Sequence, residues 1–140
     1  VKLSPEKAIS TLILNGTECE PYITSDDMLM REHPEDIIQG IQILSYILGD
    51  PKEILIGIEN NKPEAYAALE PHLKNTTTEL VAFDTRYPSG GEKQLIQILT
   101  GKEVPTKGLP SDIGIACLNV GTAYAIQHTH VQTQNDTEDI

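Results

Sequence analysis

Two carboxylates one residue apart, Glu18 and Glu20, stand in the segment Asn15-Gly-Thr-Glu-Cys-Glu-Pro-Tyr22, ahead of any helical pattern. A helix face does not account for them there. Charge held in such a loop either forms an acidic surface or is aimed at a ligand. Aimed at a ligand, it opposes electron addition to a redox ring by Coulomb repulsion and accepts hydrogen bonds from ribose or amide donors. A second candidate is Ser89-Gly-Gly-Glu92, which opens a helical pattern. The paired Gly90 and Gly91 let backbone N–H groups approach a ligand, and a helix N-terminus attracts negative charge. The same four residues also read as a plain strand-to-helix turn capped by Ser89. A third chemistry uses Glu18, Glu20, Asp26 and Asp27 as oxygen ligands for a hard cation in a hydrolase. Against it, adjacent Asp26 and Asp27 diverge and no His accompanies them. The chain has neither a G-x-G-x-x-G fingerprint nor a Walker loop, so no motif supports an ordinary dinucleotide fold.

These residues are positioned by a regular alternation. Four short apolar runs, residues 11–14, 53–58, 79–83 and 113–118, are bounded by polar or turn residues. That is how strands of a parallel sheet covered on both faces read. Amphipathic segments lie between them. Pro34 to Leu48 is stopped by Gly49, Lys62 to Leu73 has Pro63 in its first turn, Glu92 to Leu99 is stopped by Gly101, and a fourth helix starts at Gly121. Gly101 to Asp112 reads as a loop. Strand–helix alternation implies right-handed crossovers. The predicted fold is α/β, a Rossmann-like three-layer domain with a four-stranded, mostly parallel sheet over residues 1–127. Residues 128–140 are polar without apolar periodicity, and a loosely ordered tail is expected there. Ligands of open parallel sheets bind beyond the carboxyl ends of the strands, so Asn119-Val-Gly-Thr122 joins the candidate loops.

Composition narrows the classes. At 140 residues the chain can bury a core without disulfides or metal. Its net charge of −11 repels phosphate backbones, which argues against nucleic acid. No run of 18 apolar residues is present, so no span is predicted. Glu32, Glu35 and Asp36 read as a solvated helix face. Cys117 reads as a buried small hydrophobe, and two cysteines without a CxxC pair hold neither a cluster nor a structural zinc. Cysteine usage suggests a reducing compartment.

Taken together, the strand-end segments resemble a known family. Residues 15–24, Asp26-Asp-Met-Leu-Met-Arg-Glu32, Gly57-Ile-Glu-Asn-Asn-Lys-Pro63, Tyr87-Pro-Ser-Gly-Gly-Glu-Lys-Gln-Leu95 and Asn119-Val-Gly-Thr-Ala-Tyr124 are similar to the C-subunit family of the bacterial Rnf electron-transport complex. That family is related to the flavoprotein subunit of respiratory complex I. The likeness covers roughly residues 1–127 and takes in every strand-end loop in order.

The resemblance implies an internal domain of an oxidoreductase subunit that exchanges electrons with NAD(H) through FMN. It implies [4Fe–4S] clusters in the full-length protein and partners among the other subunits of a membrane-bound, ion-translocating complex, with ferredoxin served indirectly. The expected position is peripheral, on the cytoplasmic face of the bacterial inner membrane. Carried over by position, Asn15, Glu18 and Glu20 meet flavin and nicotinamide, Tyr87, Gly90, Gly91 and Glu92 cover the flavin, Asn119 and Thr122 lie beside it, and Lys2 lies near the flavin phosphate. The family's glycine-rich phosphate loop and two cysteine motifs fall outside the 140 residues. Thr17 and Gly91 replace acidic residues of the complex I pattern, and Cys19 replaces a glycine. The alternative is a scaffold or assembly domain of the same complex with no ligand bound in isolation.

Overall fold

The computed structural model describes residues 9–16, 25–60, 62–74, 76–83, 91–105 and 107–138. Four strands form one sheet: β1 (Thr11–Asn15), β2 (Glu53–Glu59), β3 (Thr78–Phe83) and β4 (Ile115–Asn119). Their order is β3-β2-β1-β4, and every pairing is parallel. All four carboxyl ends therefore share one edge. Among the described residues there are five α-helices: α1 (Ser25–Glu32), α2 (Pro34–Ile47), α3 (Pro63–Leu69), α4 (Gly91–Thr100) and α5 (Val120–Glu138).

The strands are apolar on both faces because both faces are covered. Leu12, Leu14, Ile54, Ile56 and Ile58 point into a core with α1, α2, α3 and α5, where Met30, Ile37, Ile41, Leu69 and Val120 are fully buried. The alternate residues Ile13, Leu55 and Ile115 meet Leu95 and Ile96 of α4, with Val104 closing the group. The strand period of two thus sorts one run into two layers. The chain passes from β1 to β2 to β3 through helices on one face, then returns across the other face by way of α4. Right-handed crossovers require that change of face when the direction reverses.

The boundaries have local causes. Gly49 and Gly101 end α2 and α4 with φ of 84° and 75°, a left-handed conformation that glycine adopts without a Cβ penalty. Lys62 to Leu73 is not one helix. It is α3 followed by a 3-10 turn at Glu70–Leu73, because Pro71 has no N–H to continue the α pattern. The run at 113–118 starts its strand only at Ile115, since Ile113 closes a 3-10 turn at Pro110–Ile113 and Gly114 has φ 78°. α1 has no counterpart among the helical patterns predicted above. Its polar first turn, Ser25-Asp-Asp, hides the period that Leu29 and Met30 carry.

The stretch from 128 to Glu138 continues α5 as helix. Its lack of an apolar stripe does not forbid helix once the first turns are docked, because each further residue adds a backbone hydrogen bond. Cys117 is half-buried rather than buried, since β4 is an edge strand and helix cover thins there.

Candidate functional site at the carboxyl edge

β1 and β4 are neighbours although residues 16–114 separate them, and their last residues, Asn15 and Asn119, are partners in register. β2 ends beside them, with Asn15 paired to Gly57. One residue beyond β1, the Gly16 N–H donates to the Gly57 carbonyl at 2.9 Å, which carries the β1–β2 ladder past the strand end. The edge thus presents two primary amides side by side where the strand order jumps. That is the position at which parallel sheets take ligands.

Each amide is held by its local fold. Asn15 is half-buried at the end of an otherwise buried strand. Asn119 is exposed and stands at the N-cap of α5, where its Oδ1 accepts the Gly121 N–H at 2.6 Å. Asparagine is favoured at this position because the side chain satisfies a helix donor that the backbone cannot. With Oδ1 engaged, the direction of the Nδ2 group is set as well. Thr122, exposed, sits on the first turn of the same helix.

The opposite layer closes the edge at α4. A Cβ on Gly57 would stand 3.0 Å from Leu99 Cδ1, 3.2 Å from Phe83 Cε1 and 3.5 Å from Leu95 Cδ1. The helix therefore lies down on β2 with only a glycine between. That contact seats the middle and last turns of α4 on β2, and Gly91 and Glu92 are the first two residues of the same helix. Lys93 Nζ donates to the Pro105 carbonyl at 3.2 Å and ties this first turn to the following loop.

Of the ten residues singled out in the sequence, Asn15, Asn119 and Thr122 come together on one edge, while Gly91 and Glu92 begin α4 in the opposite layer. Lys2, Glu18, Glu20, Tyr87 and Gly90 lie outside the described residues, as does Cys19. The acidic residues expected on one helix face are divided: Glu32 ends α1 and is exposed, while the exposed Glu35 and the half-buried Asp36 lie in the first turn of α2, where Asp36 Oδ2 stands 3.6 Å from His33 Nδ1. Among the described residues no group of three or more His, Cys, Asp or Glu is arranged to hold a metal ion. The close approaches at Gly16 and Gly57 are not among the candidates that the sequence suggests. An isolated glycine inside an apolar run is the signal that could have found Gly57.

Three comparisons bear on the site. The family model described as the Nuo51 FMN-binding domain matches residues 1–128. The chain is 58% identical over 122 residues to the C subunit of an ion-translocating oxidoreductase complex from Pseudomonas aeruginosa, covering 87% of this chain and 16% of that protein. It is 55% identical over 133 residues to the protein of the same name from Pectobacterium atrosepticum, covering 94% of this chain and 19% of that protein. It thus spans less than a fifth of the length of these curated relatives. Among solved structures, a chain of an NAD+-reducing [NiFe]-hydrogenase in the H2-reduced state superposes with a TM-score of 0.69 at 23% identity, covering 86% of this chain and 24% of that one. That likeness establishes a shared fold.

Proposed function

Because this chain belongs to the Nuo51 FMN-binding domain family, we propose that it is the flavin- and nucleotide-handling core of an electron-transport subunit. The parent protein is an oxidoreductase that exchanges electrons between NAD(H) and FMN and passes them to [4Fe–4S] clusters elsewhere in its own chain. Its partners are the other subunits of a membrane-bound, ion-translocating complex, and ferredoxin is served indirectly. It lies peripherally on the cytoplasmic face of the inner membrane. No helix among the described residues is long and apolar enough to cross a membrane.

The observation that supports this most directly is the pairing of Asn15 with Asn119 at the carboxyl edge. Two amides and the Thr122 hydroxyl offer donors and acceptors together, which suits a flavin ring edge that itself alternates the two. When bound, FMN supplies the exchange between two-electron hydride chemistry and single-electron transfer. The protein's task is to orient and to tune. Asn15, Asn119 and Thr122 fix the ring, Gly90 and Gly91 allow the loop before α4 to approach it, and Tyr87 and Glu92 cover it. Lys2 neutralises the phosphate. Glu18 and Glu20 orient the nicotinamide, and their charge makes reduction of a neighbouring ring harder. No residue is required to act as a general acid or base.

The test uses the full-length parent. It should purify with FMN, and Glu18→Gln and Glu92→Gln should each slow NADH oxidation. Unchanged flavin content with unchanged NADH turnover in both variants contradicts the reading. A full-length parent that takes up no flavin favours the assembly role instead.

A further inference from the structure

Gly40 sits in the middle of α2, where a glycine costs about 1 kcal/mol relative to alanine. Its conformation does not require glycine, since its φ is not positive. Its neighbour does. A Cβ on Gly40 would collide with the carbonyl oxygen of Ala123 in α5, and would stand 2.5 Å from the Ala123 carbonyl carbon and 3.0 Å from its Cα. These are backbone atoms, which no rotamer change can move aside. We propose that Gly40 is a positioning residue for the flavin site, setting how close α5 lies to α2 and so where Asn119 and Thr122 stand against Asn15. The inference rests on the flavin reading given above.

The geometry leaves α5 little freedom. Thr122 immediately precedes Ala123, and Asn119 lies one turn earlier as the cap. β4 is hydrogen-bonded to β1 along its length, so a helix pushed off α2 must pivot at the β4–α5 junction. That junction is the site. A second contact fixes the register along the seam: the buried Gln127 donates through Nε2 to Gln39 Oε1 at 2.9 Å, beside Gly40. Further along, the Tyr124 ring lies between His33 and His128, at centroid distances of 5.3 Å and 5.0 Å. Gly40 controls the separation of the two helices, and Gln39 with Gln127 controls their sliding. All three act on the ligand through α5 rather than by touching it.

The experiment compares Gly40→Ala with Leu69→Ala, a cavity variant in α3, in the full-length parent after flavin removal. Gly40→Ala should weaken FMN binding by about tenfold or more, as expected for an ångström-scale misplacement of ligand groups, and should speed hydrogen exchange in the first turn of α5. Leu69→Ala should lose thermal stability while its FMN affinity stays close to wild type. Equal FMN affinity in Gly40→Ala and wild type overturns the inference, and so does an equal loss in Leu69→Ala. Should Gly40→Ala not fold, Gln39→Ala decides: removal of one hydrogen bond should weaken FMN binding by about three- to fivefold, and no change overturns the inference. A wild-type parent that takes up no FMN fails the proposed function itself and takes this inference with it.

Discussion

Asn119 carries two jobs that a pair of substitutions can separate. Its Oδ1 caps α5 through the Gly121 N–H, and its amide is proposed to face the flavin. Asn119→Ala removes both. Loss of an N-cap costs about 1 kcal/mol. With an unfolding entropy of about 2.1 cal/mol/K per residue, a domain of this length should lose about 3 °C in Tm. Asn119→Asp keeps a capping oxygen and adds a negative charge at the positive end of the helix dipole, which is favourable by about 0.3–1 kcal/mol. Its Tm should match wild type or exceed it by up to about 3 °C. A carboxylate cannot donate the amide hydrogen bond, however, so FMN affinity should fall in both variants. Calorimetry of the 140-residue chain reads the first effect, and FMN titration of the full-length parent reads the second. If Asp costs as much stability as Ala, capping is not what Asn119 contributes. If Asp leaves FMN affinity unchanged, its amide does not meet the flavin.

Three further outcomes test the framework. Ile56→Ala, at a fully buried position on a central strand, should cost about 2–5 kcal/mol by denaturant unfolding, with the m-value unchanged. Gly101→Ala should cost about 1–2 kcal/mol through its φ of 75° alone, since open space surrounds the position where a Cβ would sit; a neutral result would mean that α4 ends in another conformation. Arg31→Ala, which removes a 3.7 Å pair with Glu64 at side-chain exposures of 40% and 78%, should change stability by less than about 0.5 kcal/mol. A larger loss would mean that the pair anchors α1 on α3.

The fold is legible in the sequence where packing imposes a period. Leu12 to Leu14 and Ile54 to Ile58 are apolar without interruption because helices cover both faces, and that reads directly as a parallel strand. The edge strands are harder. β3 and β4 are only half-buried, so their runs are less uniform, and the apolar run at 113 begins two residues ahead of β4. Polar helix is least legible. The first turn of α1 and the second half of α5 are held by backbone hydrogen bonds that leave no stripe of side chains. At the site, Asn15 and Asn119 stand out because each follows an apolar run, yet their adjacency comes only from the strand order. The role of Asn119 as a cap emerges only in the structure, where α5 starts at Val120, one residue ahead of the helix start read at Gly121. Gly40 lies within a clear amphipathic pattern, and its reason is the backbone of a helix about eighty residues away, which no local pattern holds.

The most direct measurement is a structure of the full-length parent with FMN bound. Flavin density should lie at the carboxyl edge of the sheet, against Asn15 and Asn119 and beneath the start of α4. Density at the amino edge, or on the outer surface of the helices, would contradict the account.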